Sequence, residues 1–167
     1  EYVDLEFSKA FAMVDHQVAH IYVKDGHLDR TRNVVENTDG VAQVLHSKEQ
    51  KNSLRIDHPR SGDIIAISDR DRWFSYYWWH DEEKAPDFAG KVDIHRKPGY
   101  DPVELFFDPK ARRISFDSSL VRGSHGRPAD NSTGEGYAVY LSTGRRAAEK
   151  DGIVKCTDVA QSLVGNT

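Results

Sequence analysis

The stretch Val18-Ala19-His20-Ile21-Tyr22-Val23 decides the fold of this 167-residue chain. Its residues are mostly β-branched or aromatic, and the turn signal Lys24-Asp25-Gly26 follows it, so the sequence predicts a β-strand here. The next segment changes period, because Leu28, Arg32 and Val35 are spaced as on a short amphipathic helix. A strand followed at once by a helix indicates a domain that mixes both types of element.

Further elements are predicted on the C-terminal side of this pair. Residues 41–45, 62–68 and 73–79 are predicted as strands, the last of them rich in aromatic side chains. Ser47 is typical of a helix N-cap, with Glu or Gln near the capping-box position after it. We therefore predict an α+β fold with a small mixed or antiparallel sheet and a few helices.

The composition changes after His80. Residues 81–86 are charged and end in a proline, which is typical of an exposed linker or lid. A loop is predicted at 124–135, a buried strand at 136–142 and a terminal helix at 158–164. We accordingly place boundaries after residues 80 and 119.

Charge and composition exclude several classes of function. The 23 Lys and Arg are scattered among 27 Asp and Glu, giving a net charge of −4, so no basic face for nucleic acid is predicted. The apolar runs are strand-sized, so no membrane partner is expected. A single cysteine, Cys156, requires no oxidising compartment and offers no thiolate metal site, so a metal would need histidine and carboxylate ligands.

Two of the eight histidines stand in glycine-containing loops where an imidazole can face a ligand. His125 lies in the run Arg-Gly-Ser-His-Gly-Arg, and His95 lies in the run Asp-Ile-His-Arg-Lys-Pro-Gly-Tyr-Asp-Pro. The cations beside them, which could bind a phosphate, are Arg122, Arg127, Arg96 and Lys97. A surface or capping role for either histidine, and a solvated surface for the cations, stay open as alternatives.

Two other patterns have a structural interpretation that we favour over a functional one. Asp15-His16 and His20 would share a metal-binding face on a helix, but the β-branched residues after them favour a strand, which would hold the two imidazoles too far apart. The aromatic run at 73–79 could stack on a base or sugar, and packing in the core of the sheet is the favoured alternative.

Three segments together resemble the C-terminal end of the type I phosphodiesterase and nucleotide pyrophosphatase family, which belongs to the alkaline phosphatase superfamily. These segments are residues 120–127, 136–141 and 157–163. In that family a late Ser-His-Gly or Thr-His-Gly motif supplies a metal-binding histidine, a strand follows, and a Thr-Asp-Val-Ala-type helix closes the domain. Residues 11–23, 40–45 and 60–67 are similar to the cap-like insertion of the family, and residues 92–107 resemble the signature of one bacterial subgroup.

The resemblance implies a fragment of an alkaline-phosphatase-like α/β domain. Residues 1–80 would form a cap-like α+β subdomain, 81–119 a lid or linker, and 120–167 the C-terminal piece of the catalytic domain. It implies that His125 binds a divalent metal, commonly zinc, in the intact enzyme, with His95 as the second metal candidate. The candidates for substrate binding are Arg122, Arg127, Arg96, Lys97 and Tyr100.

The implied reaction is hydrolysis of phosphate or phosphonate esters, with a phosphate-ester or nucleotide-like small molecule as the partner. Family members carry the Thr or Ser nucleophile and further metal ligands in a long N-terminal portion that this sequence does not contain. We therefore expect a soluble fragment that is inactive alone and a parent protein that is the enzyme. The alternative is a non-catalytic α+β binding or interaction module that uses the aromatic strand, and the oligomeric state stays open.

Overall fold

The computed structural model of the protein describes residues 3–75, 79–86, 89–90, 106–115, 117–120, 123–130, 132–134, 136–143, 149–150 and 152–164. It comprises two compact units, Glu1–Arg127 and Pro128–Thr167. None of the helices in these ranges is long and apolar enough to cross a bilayer.

The first unit is built on a four-stranded sheet in which every pairing is antiparallel. Its strands are β1 (Ala10–Asp15), β2 (Val18–Val23), β3 (Val41–Leu45) and β4 (Ile64–Ser68), in the order β1-β2-β4-β3. Helix α1 (Leu28–Glu36) connects β2 to β3, and α2 (Lys48–Ser53) connects β3 to β4. The predicted α+β class with a small sheet is confirmed.

The core lies on both faces of this sheet, and alternate residues of β4 contribute to each face. All five residues of β4 are buried. On one face Ala19, Ile21, Ile64 and Ala66 form a cluster that Val35 of α1 and Phe74 cover. On the other face Leu45, Ile65 and Ile67 pack against Leu54 and Ile56, which follow α2. Burying an apolar side chain of this size contributes about 1.5–3 kcal/mol, so the sheet holds the unit together.

Helix α2 begins at the predicted cap. The Ser47 hydroxyl accepts a hydrogen bond from the Gln50 backbone N–H at 3.2 Å, and the Gln50 side-chain oxygen accepts one from the Ser47 N–H at 3.0 Å. This reciprocal pair satisfies N–H groups that have no partner within the helix. The capping-box prediction is confirmed.

The fourth strand of the sheet is β1 and not the aromatic run. Residues 73–75 and 79 lie outside any strand, and residues 76–78 lie outside the described part of the chain. Both sides of β4 are occupied by β2 and β3, and the second side of β2 is occupied by β1. The predicted strand at 73–79 is therefore wrong for its described residues, and Phe74 packs on the core as the structural interpretation predicted.

Besides a 3-10 turn at Ser118–Leu120, the first unit contains a short hairpin. It pairs β5 (Phe107–Asp108) with β6 (Arg113–Ile114), and the Ile114 N–H donates to the Gly90 carbonyl at 2.8 Å. Residues 82–84 form a single 3-10 turn in the exposed charged segment. Of the segment 92–107 that resembles the bacterial subgroup, residues 92–105, including the signature run 95–102, lie outside the described residues.

The second unit contains a small ladder and a helix. Strand β7 (Glu149–Lys150) pairs with β8 (Ile153–Val154), and α3 (Cys156–Val164) follows. The predicted terminal helix is confirmed and begins two residues earlier than expected. The predicted buried strand at 136–142 is wrong, since Val139 and Leu141 are 87% and 88% exposed and no described segment pairs with them. An apolar run forms a strand only where another strand completes its hydrogen bonds.

Candidate functional site

Two of the seven predicted site residues, His125 and Arg127, fall within the described residues. The other five lie outside them and keep their predicted roles as predictions: His95, Arg96, Lys97, Tyr100 and Arg122. The geometry of the site is therefore the geometry of the loop at 123–127, which we call the histidine loop.

The histidine loop packs on the turn between β1 and β2. In this hairpin Asp15 pairs with Val18, which leaves His16 and Gln17 as a two-residue turn. The Gln17 backbone N–H donates a hydrogen bond to the His125 carbonyl at 2.8 Å. The contact joins segments that are more than 100 residues apart in the sequence, and it places His125 at the end of the sheet.

Gly126 permits this close approach. Its φ is +101°, and a Cβ atom built on it would lie 3.0 Å from Val18 Cγ1 and 3.1 Å from the Asp15 carbonyl oxygen. A larger residue would need both an unfavourable backbone conformation and a displacement of the turn. Gly126, one of the glycines beside His125, therefore allows the histidine loop to pack on the turn.

His16 is buried inside the contact, with 7% of its surface exposed. One side of its imidazole stacks on Trp73, with ring centroids 5.4 Å apart and planes 25° apart. Its ring also contacts that of His125, with centroids 4.3 Å apart. Its Nδ1 lies 3.1 Å from the Ser124 hydroxyl oxygen, within hydrogen-bond distance. His16 thus contacts two side chains of the histidine loop.

The segment that follows β4 holds this turn in place through hydrogen bonds. The buried Gln17 side-chain amide donates to the carbonyl oxygens of Asp69, Arg70 and Arg72 at 3.0–3.2 Å. The Phe74 N–H donates to the His16 carbonyl at 2.8 Å. These bonds satisfy polar groups that would otherwise be costly to bury. They fix the turn residues relative to the sheet.

His125 and Asp15 form the exposed side of this site. Nε2 of His125 lies 3.8 Å from Oδ1 of Asp15, and the two side chains are 62% and 65% exposed. Beside them, Nη1 of Arg127 donates to the Ser68 carbonyl oxygen at 2.7 Å. A nitrogen ligand, a carboxylate and a guanidinium are thereby brought to the β1–β2 end of the sheet.

The described residues contain no group of three or more His, Cys, Asp or Glu side chains that could hold a metal ion. The pair His125 and Asp15 nevertheless has the donor types that zinc accepts. Neighbouring donors of a tetrahedral zinc lie roughly 3.3 Å apart, which is shorter than the 3.8 Å between Nε2 and Oδ1. Two donors are fewer than the three or four protein ligands of a zinc site, so the described residues do not form one by themselves.

Asp15 and His16 are the site residues that the sequence analysis missed. From the sequence, His16 and His20 were expected on one face of an extended segment, too far apart to share an ion, whereas His16 lies in the turn and His20 in β2. Strand β1 was not predicted from the sequence, so the hairpin turn that joins it to β2 was not predicted either. Nothing in the sequence spacing joins His16 to Ser124, which is 108 residues away.

Comparison with known families gives one match. The sequence model described as type I phosphodiesterase / nucleotide pyrophosphatase matches residues 2–101, more than half of the chain. This range includes the β1–β2 turn and ends before the histidine loop. Searches of the curated proteins and of the solved structures returned no significant match.

Proposed function

The chain belongs to the type I phosphodiesterase / nucleotide pyrophosphatase family, and from this premise we propose that it is part of a metal-dependent hydrolase of phosphate or phosphonate esters. The family match supports the class of hydrolase. The observation that supports the location of the site is the contact of the histidine loop with the β1–β2 turn, which lies within the matched range.

In this proposal His125 Nε2 and Asp15 Oδ1 are two donors to a divalent ion, zinc being the commonest in the family. Their donor types and their exposure support the role. A bound ion would polarise a phosphoryl oxygen as a Lewis acid. The residues of this chain would hold the imidazole and carboxylate in place through the turn, and the remaining ligands would come from outside the described residues.

The proposed substrate is a phosphate-ester or nucleotide-like small molecule. Arg127 supports an anionic substrate, because a guanidinium has five N–H donors and its bond to the Ser68 carbonyl uses only one of its nitrogens. The other proposed substrate contacts are Arg96, Lys97, Tyr100 and Arg122, and His95 stays the second proposed metal ligand.

We also propose that residues 1–167 do not hydrolyse esters by themselves. The resemblance places the Thr or Ser nucleophile and further ligands in a portion that this sequence does not contain. Phosphoryl transfer depends on positioning a nucleophile as well as on stabilising charge on the transferred group, and the donor pair with Arg127 supplies no nucleophile.

The test compares the protein expressed from its complete gene with residues 1–167 alone. Zinc content is measured by mass spectrometry, and turnover is measured with bis-p-nitrophenyl phosphate. We expect zinc and turnover in the complete protein only, and we expect His125→Ala to lower both at least about tenfold. His46→Ala is the matched control, since His46 follows the end of β3 that pairs with Ile65, away from the turn.

Two results would contradict the proposal. Equal and small effects of His125→Ala and His46→Ala would remove His125 from the site. Turnover by residues 1–167 alone would show that the nucleophile lies within them.

A further inference from the structure

His16 has the left-handed backbone that a two-residue hairpin turn needs, with φ at +54°. It adds two features that such a turn does not need, since its side chain is buried and its ring contacts those of Trp73 and His125. We propose that His16 is a positioning residue that sets the orientation of the His125 imidazole; the effect on catalysis, but not on orientation, rests on the proposed function.

The positive φ at position 16 does not by itself explain why this residue is a histidine. Two-residue hairpin turns favour Asn, Asp and Gly where φ is positive. Asparagine would therefore satisfy the backbone at position 16. What asparagine lacks is the flat ring that Trp73 stacks on and that His125 contacts.

Contacts of His16 and Gln17 define the position of the histidine loop at three points. The Gln17 N–H fixes the His125 backbone through its carbonyl oxygen. Nδ1 of His16 lies within hydrogen-bond distance of the Ser124 hydroxyl, and the His16 ring lies against the His125 ring. The backbone bond alone leaves the side-chain rotamer of His125 free to change.

The orientation of His125 depends on these contacts because its side chain is mostly exposed. At 62% exposure few atoms restrict its χ angles, and the His16 ring, with centroids 4.3 Å apart, is one of the groups that the His125 ring contacts. Removing that ring allows other staggered rotamers. A reactive or ligating nitrogen then spends less time beside Asp15, which lowers the rate without changing the chemistry of the site.

The first test measures orientation by NMR on the metal-free chain. Its readouts are the nuclear Overhauser effects between the His125 ring and the Asp15 methylene, and hydrogen exchange of the Gln17 amide. We expect His16→Asn to abolish the Overhauser effects and to raise Gln17 exchange at least tenfold. His16→Phe, which restores a ring, should recover the Overhauser effects, and His46→Asn should change neither readout.

A second substitution keeps the test decisive if His16→Asn fails to fold. Ser124→Ala removes the hydroxyl beside Nδ1 from an exposed loop, and we expect it to weaken the same Overhauser effects at least twofold. Unchanged Overhauser effects in both variants, or an equal loss in His46→Asn, would overturn the positioning role.

The second test measures catalysis in the protein expressed from its complete gene. We expect His16→Asn to lower kcat for bis-p-nitrophenyl phosphate at least tenfold and to leave KM within twofold, with partial rescue by His16→Phe. A kcat within twofold of wild type would overturn the catalytic consequence. A wild-type protein without turnover would contradict the proposed function and leave the NMR result to judge the positioning role.

Discussion

Gly62, two residues before β4, lies directly against the backbone of β2. A Cβ atom at this position would lie 2.5 Å from the Ile21 nitrogen and 2.8 Å from the Ile21 carbonyl oxygen. Both neighbours are backbone atoms of β2, so they cannot move aside without breaking its pairing with β4. The Lys51 ammonium also donates to the Gly62 carbonyl at 2.8 Å, which fixes the glycine from the other side.

Gly62→Ala should therefore destabilise the protein by about 3 kcal/mol, as severe overpacking does. The measurement is the free energy of unfolding in urea. Gly123→Ala is the control, because a Cβ atom there would have nothing within 4 Å, and it should change stability by less than about 0.5 kcal/mol. Equal effects of the two substitutions would show that the close approach of Gly62 to β2 is absent.

His20 gives the sheet a dependence on pH. Its Nδ1 accepts a hydrogen bond from the Gly62 N–H at 3.1 Å, which requires an unprotonated nitrogen. Burial lowers the pKa of His20 below its usual 6.5, Lys51 lowers it further, and Asp15 opposes this shift. The unfolded chain therefore binds the proton more readily than the folded one does.

This pKa shift should make the protein less stable in acid. The contribution is complete above pH 6.5 and is lost as the pH falls below that value toward the lower pKa of the folded state. We expect the unfolding free energy to fall between pH 7.5 and 5.5, and to fall less in His20→Asn. His46→Asn is the control, and the same pH dependence in His20→Asn as in wild type would contradict the account.

At the scale of elements, local sequence was sufficient where a segment carries its own signal. Three strands could be predicted because their segments are rich in β-branched and apolar residues: 18–23, 41–45 and 62–68. Helix α2 could be predicted because Ser47 and Gln50 have the spacing of a capping box. β1 could not, because Ala10, Ala12 and Met13 have weak strand preference and become a strand by pairing with β2. The run at 73–79 is the opposite case: its residues favour a strand, but β2 and β3 already occupy both sides of β4.

Part of the candidate site could be predicted for the same physical reason. Glycines beside His125 predicted a loop whose imidazole can face a ligand, and in the structure Gly126 lets that loop approach Val18 and Asp15 of the β1–β2 hairpin closely. The partners of the loop could not be predicted, because they depend on a hairpin turn that only the tertiary pairing creates.

The cap of α2 gives a test at the scale of one element. Ser47→Ala removes the acceptor for the Gln50 N–H and should lower the unfolding free energy by about 1 kcal/mol. Asn52→Ala, in the exposed interior of the same helix, should change stability by less than about 0.5 kcal/mol or raise it slightly. A Ser47→Ala variant as stable as wild type in urea would contradict the role of the capping box.

At the scale of the whole molecule, the sheet supports a site at one end. The β1–β2 turn, the chain leaving β4 and the histidine loop meet there, and the family match covers the turn. The buried Gln17 amide and the His16 ring contacts hold this end of the sheet in place, while the side chains of His125 and Asp15 are exposed. A rigid support beneath exposed donors is what a metal or phosphate site requires.

The most direct test of this arrangement is a double-mutant cycle on zinc affinity in the protein expressed from its complete gene. Its variants are Asp15→Asn, His125→Asn and the double variant. If the two side chains bind one ion, each single change weakens binding at least about tenfold, and the double change weakens it by less than the product, with a coupling of about 1 kcal/mol or more. Additive effects, or no effect of Asp15→Asn, would contradict a shared site.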